Sequence, residues 1–250
     1  METLKTLLEH RTIRKYKSDP VPDKVLDKIL QAAIRTSTTG NMQVYSIIVT
    51  RDADLKEKLL PLHFGQGMVT QAPAILTFCA DFNRFNKWCL QRKAEPGYNN
   101  FLSFYTASID ALLAAQNAAV AAEDQGLGIC YLGTTTYMAE EIATVLDCPK
   151  GVVPVTTLVI GYPDEQPGLT DRLPAAAVVH QEKYQDFDKD RIEALYAEKE
   201  ALPLTKELLE ENQLETLAQI FTQKRYTKKD NEHFSAKFLA FIQRQGFMDQ

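Results

Sequence analysis

Residues 105–125 form a segment that is rich in alanine and apolar around almost its whole circumference. This pattern leaves little polar surface to face water, so it predicts a helix buried in the middle of the molecule. Its apolar positions are Ile109, Leu112, Leu113, Ala115, Ala118, Ala119 and Ala122. A chain that buries such a helix must build layers around it, and 250 residues with 45% hydrophobic side chains are enough for a sizeable core.

Helical and strand-like segments alternate along the rest of the chain, which favours an α+β or α/β layered domain. The predicted helices are 2–9, 22–36, 53–60 and 138–146, and the predicted strands are 45–50, 74–79, 129–132 and 152–160. Residues from about 166 to 184 have an irregular pattern. The chain after residue 186 is charged and predicted to be helical.

The charge balance and the cysteine and histidine patterns exclude several classes of function. A formal net charge of -5 would repel a phosphate backbone, so nucleic acid is not an expected partner. No stretch approaches the roughly 20 apolar residues that span a bilayer, and no leader pattern is visible, so we expect a cytoplasmic protein. The four cysteines form no CxxC pair and the four histidines have no metal-ligand spacing, which predicts free thiols and no metal site.

The densest group of candidate binding residues is His10, Arg11, Thr12 and Arg14, at the end of the first predicted helix. A guanidinium offers two parallel donors to a phosphate, and a threonine hydroxyl with free backbone amides adds short hydrogen bonds. The pattern is therefore typical of an anion site. A solvated surface is the alternative, because exposed arginines commonly bind nothing but water.

Further candidates lie in loops. Arg172 follows the predicted strand 152–160 in an irregular segment, where ligand sites are common, although it could simply pair with Asp171 or Asp164. Thr38 and Gln66 are flanked by small residues and could hydrogen-bond a heterocycle or a phosphate. Either could equally be an ordinary loop residue.

Two more segments have suggestive composition. Glycines bracket the predicted strand 129–132 and would let a flat ligand approach the backbone closely. Their order along the chain is opposite to that of a dinucleotide fingerprint, and neither GxxxxGK[ST] nor GxSxG occurs. Near the C-terminus lies a basic run that would suit a nucleotide phosphate or simply form a solvated helix end. Its candidate residues are Arg225, Lys228 and Lys229.

Taken in order, these motifs resemble the FMN-dependent nitroreductase superfamily, and specifically its oxygen-insensitive NADPH nitroreductase and flavin reductase branch. Residues 10–14, HRTIR, are similar to that branch's opening HRSIR motif. Later blocks match at residues 35–38, 65–66, 117–133 and 172–174. The resemblance covers roughly residues 7–185.

The resemblance implies an α+β fold with a mixed, mainly antiparallel sheet flanked by helices. It also implies an intertwined homodimer with both flavins at the subunit interface. We therefore expect an FMN-binding core over residues 1–185, with a charged helical extension over residues 186–250 packing on it. In such a dimer the helix 105–125 would be buried against the sheet and the partner, although a monomer could also bury it.

The resemblance also implies roles for individual residues. Arg11 and Arg172 would hold the FMN phosphate, with His10 and Thr12 near the phosphate or the ribityl chain. Arg14 would face the pyrimidine edge of the flavin, where a fixed positive charge stabilises the reduced ring. The other implied flavin contacts are Thr38, Gln66 and the backbone of Tyr131, Leu132, Gly133 and Thr134. No catalytic side chain is expected, because the flavin N5 carries the chemistry.

The chain departs from the branch in four places. Thr170 stands where a lysine is usual, two residues before the phosphate arginine, and Thr134 stands where a second glycine is usual. The segment 86–100 is longer than the corresponding segment of related proteins and could shape the entrance for the substrate. The tail beyond residue 185 matches poorly, and any preference for NADPH over NADH would depend on Arg225 and the nearby lysines.

The resemblance predicts an oxidoreductase with ping-pong kinetics. NAD(P)H would reduce FMN, with NADPH as the expected donor, and a nitroaromatic, a quinone or free flavin would then take the electrons. The alternatives are a different reaction on the same scaffold and a non-catalytic FMN-binding or regulatory protein. A purely structural module would require every arginine in the motifs to be a surface residue.

Overall fold

Four runs of β-branched and apolar residues pair into one antiparallel sheet in the computed structural model, which describes residues 3–249. The strands are β1 (Tyr45–Thr50), β2 (Ala74–Asp81), β3 (Gly128–Leu132) and β4 (Val152–Gly161). Their order across the sheet is β1, β2, β4, β3, so β2 and β4 are central and β1 and β3 are at the edges. All four predicted strands are confirmed, with small changes at their ends.

The helices account for most of the remaining chain. They are α1 (Thr3–Leu8), α2 (Asp23–Ile34), α3 (Ala53–Leu59), α4 (Met68–Gln71), α5 (Asn83–Gln91), α6 (Phe101–Asp124), α7 (Ala139–Val145), α8 (Lys189–Ala201), α9 (Pro203–Asn212), α10 (Leu217–Gln219) and α11 (Lys228–Arg244). The predicted helices are confirmed with altered ends, and Glu2 lies outside the described residues. The sequence pattern does not predict α4 or α5, and α5 occupies part of the long segment 86–100.

The predicted start of the central helix is four residues too late. Helix α6 begins at Phe101 because the side chain of Asn100 accepts a hydrogen bond from the Ser103 backbone N–H at 3.0 Å. Such an N-cap satisfies a backbone donor that the helix itself leaves unpaired. The capping asparagine therefore sets the boundary, whereas the apolar pattern marks only the interior.

The chain divides into two compact units. One contains the described residues up to Gly168 together with those from Phe234 onward, and the other contains residues 169–233. The first unit holds the sheet and α1 to α7, and the second holds α8 to α10. The boundary expected near residue 185, with a tail packing on the core, stays a prediction.

The two faces of the sheet bury alternate residues of each strand, as the pleat requires. On β2, Leu76 and Phe78 contribute to the cluster on one face and Ile75 to the cluster on the other. Helices α2 and α6 cover the first face. Helix α6 lies close to it through small buried side chains, which are Ala107, Ala111, Ala114, Ala115, Ala118, Ala119 and Ala122.

The opposite side of α6 remains exposed in the single chain. Leu102 is 70% exposed and Tyr105 is 55% exposed, although both are apolar or aromatic. The same exposed face includes Ile109, Leu112 and Leu113. A monomer therefore does not bury this helix all round, contrary to the monomer alternative.

Residues after α1 run beside the edge strand β3. Thr12 forms a parallel bridge with Ile129, and the backbone N–H of Ile13 donates to the Ile129 carbonyl at 2.9 Å. Ile13 is buried, whereas Arg14 is exposed. This bridge supplies a parallel contact to a sheet whose four strands pair antiparallel.

The close approach of these two segments depends on Gly128. A Cβ atom built at position 128 would lie 2.6 Å from Ile13 Cγ1 and 2.7 Å from Ile13 Cβ, too close for either segment to stay in place. We expect Gly128→Ala to lower the free energy of unfolding by about 1 to 3 kcal/mol, because overpacking a filled core forces the backbone to shift. Urea denaturation measures it.

Gly97→Ala is the matched control, because a Cβ at position 97 meets no atom within 4 Å. Its unfolding midpoint should stay near that of the wild type. Equal midpoints for Gly128→Ala and the wild type would contradict the packing argument.

Candidate functional site

The first candidate motif is held by contacts to α6 and to the chain after β4. The Nδ1 atom of His10 lies 2.6 Å from the carboxylate oxygen Oε1 of Glu123, near the end of α6. The backbone N–H groups of Arg14 and Lys15 donate to the Glu165 side chain at 2.5 and 3.1 Å. These contacts fix the backbone and the histidine of the motif, and they do not involve its arginine side chains.

The two guanidinium groups of this motif have no carboxylate partner among the described residues. Arg11 donates to the backbone carbonyl of Glu9 at 3.0 Å, and Arg14 makes no side-chain hydrogen bond to the described part of the chain. The Arg14 charge acts on Cys130 of β3, where it opposes the rise in the thiol pKa that burial causes. Both arginines are thus available to an anionic ligand, as the phosphate interpretation requires.

A cavity of about 600 Å³ lies beside the motif. Its lining residues are Thr6, Glu9, Arg11, Ile13, Glu123, Leu127, Gly128, Pro163, Glu165, Gln166 and Pro167. Arg11 is the one candidate residue that lines it. Three acidic residues, Glu9, Glu123 and Glu165, line the same cavity, so the cavity as a whole does not favour a phosphate. The phosphate interpretation therefore rests on the guanidinium groups of Arg11 and Arg14 and not on the cavity.

Gln66 and Thr134 lie on two turns that the structure brings together. The short 3-10 turns Pro61–His63 and Gly133–Thr135 are joined by a hydrogen bond of 2.8 Å between His63 Nδ1 and Thr134 Oγ1. The backbone N–H of Gln66 donates to the His63 carbonyl at 3.2 Å. Two predicted flavin-contacting segments, far apart in sequence, therefore meet in space.

Thr38 precedes a loop that is anchored to the middle of α6. The backbone N–H and the hydroxyl of Thr39 both donate to Asp110 Oδ1, at 2.9 and 3.2 Å. Asp110 is fully buried, and its second oxygen has no partner among the described residues. A buried carboxylate is costly unless it is hydrogen-bonded, so these two bonds tie the position of the loop to that of the helix.

The remaining candidates belong to the second unit. The Arg172 side chain is exposed and donates to the carbonyls of Thr170 and Asp171 at 3.2 and 2.9 Å. Arg225 ends a π-helical turn, and its guanidinium lies 5.8 Å from the centre of the Phe221 ring. Lys228 and Lys229 begin α11 and are exposed.

Three residues that position the site are absent from the sequence-based candidates. They are His63, Asp110 and Glu123. Asp110 has a visible signal, since it is the one acidic residue within the apolar stretch 101–122. His63 and Glu123 have none, because their partners lie more than 70 positions away in sequence.

Burial of His63 makes the stability of the fold depend on pH. Burial lowers the pKa of His63 to about 4, below its ordinary value of 6.5. As the pH falls from 6.5 towards 4, the unfolded chain binds a proton that the folded chain does not. The free energy of unfolding should therefore fall over this range, by about 1 to 3 kcal/mol from this group.

Chemical denaturation at a series of pH values tests this expectation. The free energy of unfolding of His63→Asn should change with pH with a smaller slope than that of the wild type between pH 6.5 and 4, because asparagine does not titrate. His180→Asn, at a histidine that is only half-buried, is the matched control and should keep the wild-type slope. If His63→Asn also keeps that slope, the argument is wrong.

Comparisons with known proteins identify the family of this chain. The nitroreductase family profile matches residues 7–162. An oxygen-insensitive NADPH nitroreductase of Salmonella typhimurium is 38% identical over 187 residues, covering 75% of this chain and 76% of the relative. An FMN reductase [NAD(P)H] of Bacillus subtilis is 38% identical over 192 residues, covering 75% of this chain and 76% of the relative.

A solved structure from Bacteroides fragilis has the same fold along nearly the whole chain. It is 52% identical, superposes with a TM-score of 0.95, and covers 98% of this chain and 100% of the other. The chain belongs to the nitroreductase family.

In the described part of the chain, every helix is too short or too polar to cross a lipid bilayer.

Proposed function

We propose that this protein is an FMN-dependent oxidoreductase that takes electrons from NAD(P)H and passes them to a nitroaromatic, a quinone or free flavin. The observation that carries the proposal is the pair of guanidinium groups on the family motif that have no carboxylate partner among the described residues. The relatives named above are an NADPH nitroreductase and an FMN reductase, which supports a catalytic protein over a non-catalytic binding protein.

The residues present fit FMN. A flavin needs cationic donors for its phosphate and an accessible backbone surface for its flat ring. Arg11 and Arg14 supply cationic donors that have no carboxylate partner among the described residues. At Gly133, a Cβ built on the backbone meets no atom within 4 Å, so the backbone there is open to a planar group.

Each candidate residue has a separate task in this proposal. When bound, FMN supplies the chemistry that accepts and donates a hydride. Arg11 binds the phosphate, and Arg14 holds a positive charge at the edge of the ring. Other contacts come from His10, Thr12, Thr38, Gln66, Tyr131, Leu132, Gly133 and Thr134. The part of Arg172 in phosphate binding stays a prediction.

No side chain of the chain is required as an acid or a base. The task of the protein is to bind, orient and tune the cofactor, and to expose one face of it to two substrates in turn. A shared face explains why the first product must leave before the second substrate binds. Ping-pong kinetics follow from that arrangement.

A visible absorption spectrum of the purified protein tests the cofactor and the first half-reaction. It is recorded before and after anaerobic addition of NADPH and then NADH, and the released chromophore is identified. A yellow protein that contains FMN and bleaches supports the proposal. A protein that cannot be reconstituted with FMN overturns it, and bound FMN that neither nucleotide bleaches identifies the binding-protein alternative.

NADPH rather than NADH is the proposed donor. The support is a relative named for NADPH and the exposed basic residues Arg225, Lys228 and Lys229, which could bind an extra phosphate. Among the described residues these three side chains form one ion pair, a 3.7 Å contact between Lys228 and Glu232, and exposed pairs of this kind contribute little. The comparison of bleaching rates with the two nucleotides decides the preference. The cytoplasmic location stays a prediction.

A homodimer is proposed from the exposed face of α6. Large apolar residues at three- and four-residue spacing form a continuous stripe on this helix, which is typical of an interface. We expect Leu112→Glu to shift the protein from dimer to monomer in light scattering after gel filtration, because a buried unpaired charge disfavours association. Leu239→Glu is the control, since both leucines are 49% exposed but Leu239 lies on α11. Dimers of equal stability in both variants would contradict this interface.

A further inference from the structure

His63 is a buried titratable residue to which the proposed function gives no task. Its side chain is 0% exposed, and its Nδ1 atom lies 2.8 Å from Thr134 Oγ1. Its second ring nitrogen, Nε2, is buried without a hydrogen-bond partner among the described residues. An unsatisfied buried polar atom is costly, so a leucine or phenylalanine at this position would serve better if packing were the only requirement.

The two turns that this hydrogen bond joins both belong to the candidate flavin site. The first leads through Gly65, which has a φ of 70°, to Gln66. The second carries Gly133 and Thr134 directly after β3. In the part of the chain that the structure describes, no backbone hydrogen bond links these turns, so their relative position depends on side chains.

The Thr134 end of the contact is held rigidly. The carbonyl of Thr134 accepts hydrogen bonds from the backbone N–H groups of Tyr137 and Met138, both at 3.1 Å. A second contact between the two segments is the stack of the Phe64 and Tyr137 rings, whose centres are 6.3 Å apart. The stack brings the segments together. The Thr134 hydroxyl has one hydrogen-bond partner among residues 3–249, which is His63, and this bond orients the hydroxyl.

We propose that His63 is a positioning residue for the flavin ring, acting through the hydroxyl of Thr134. This inference rests on the proposed function. The imidazole holds that hydroxyl in one orientation and fixes the distance between the Gln66 turn and the Gly133 turn. Both turns are therefore in position before the flavin ring binds between them. Thr134, which stands where the related branch usually has glycine, thereby becomes a fixed polar group beside the ring.

Four variants test this proposal. Thr134→Val and His63→Leu remove the hydrogen bond at one end each, whereas Thr134→Ser and His63→Asn keep a group that can form it. For each, the apoprotein is titrated with FMN and with riboflavin, and the visible spectrum and reduction potential of the bound flavin are recorded. Thermal unfolding of the apoprotein monitors the fold.

We expect Thr134→Val and His63→Leu to bind both flavins about tenfold more weakly, since one hydrogen bond is typically worth that much. The spectrum and potential should shift by the same amount in both variants. Thr134→Ser and His63→Asn should stay within about threefold of the wild type, and the double variant Thr134→Val with His63→Leu should be no worse than either single one.

Several results would overturn the proposal. One is unchanged flavin affinity, spectrum and potential in every folded variant. Another is equal impairment in the conservative and the disruptive variants, which would mean that only packing matters at these positions. If the wild-type apoprotein itself fails to bind FMN, the proposed function fails first, and the two failures are therefore distinguishable.

Discussion

Replacing Arg14 with alanine should slow the reduction of bound flavin by NADPH roughly 10²-fold, the loss that follows removal of one fixed electrostatic group from an active site. Reduction places negative charge on the ring, and a guanidinium at its edge stabilises that charge. The fold should hardly change, because the Arg14 side chain is exposed and forms no hydrogen bond with the described residues. Its backbone N–H, which donates to Glu165, is retained in the variant.

Anaerobic stopped-flow absorbance measures the rate, and urea denaturation measures the stability. Arg14→Lys should recover part of the rate, since it keeps the charge but loses the planar donor group. Lys15→Ala is the control, because it removes an exposed positive charge one residue away. An Arg14→Ala protein that retains FMN and the full reduction rate would show that this arginine has another role.

Much of the fold could be predicted because its strands and its long helix have strong local patterns. The strands 45–50 and 152–160 are runs of apolar and β-branched residues, and such runs fold as strands in many contexts. The alanine-rich helix is confirmed as well. Its exposed apolar face could not be predicted, because the sequence shows that the helix is apolar all round but not which side the same chain covers.

Two helices were not predicted from the sequence. Helix α4 has four residues, which are too few for a clear periodic pattern. Helix α5 begins after Phe82, where the Asp81 carboxylate accepts the backbone N–H of Arg84 at 3.3 Å. That contact depends on where β2 ends, so tertiary structure decides the start of this helix.

The candidate site was predictable only in part, for a similar reason. Motif residues such as Arg11 and Gln66 can be recognised because their neighbours in sequence define the motif. His63 and Asp110 act through partners that only folding brings near, Thr134 and Thr39 respectively. These groups keep the motif turns in place. The apolar stretch around Asp110 marks that residue as unusual but does not identify its partner, and nothing in the sequence marks His63.

Arg11→Ala should weaken the binding of FMN to the apoprotein about 10²-fold, because charge-assisted hydrogen bonds to a phosphate are among the strongest polar contacts. Riboflavin lacks the phosphate, so its affinity should hardly change. The ratio of FMN to riboflavin affinity should therefore collapse towards one, and fluorescence titration of the apoprotein measures both values. This pattern is the reverse of that expected for His63→Leu, which should weaken both flavins equally.

The structure also indicates why Arg11 can be removed without loss of the fold. Its only side-chain hydrogen bond among the described residues goes to the carbonyl of Glu9, on a partly exposed stretch of chain. Arg35→Ala is a matched control, since that arginine is exposed and has no candidate role in phosphate binding. If Arg11→Ala lowered the affinities for FMN and riboflavin equally, Arg11 would be acting on the ring or on the fold, and the phosphate would have to be bound by other residues.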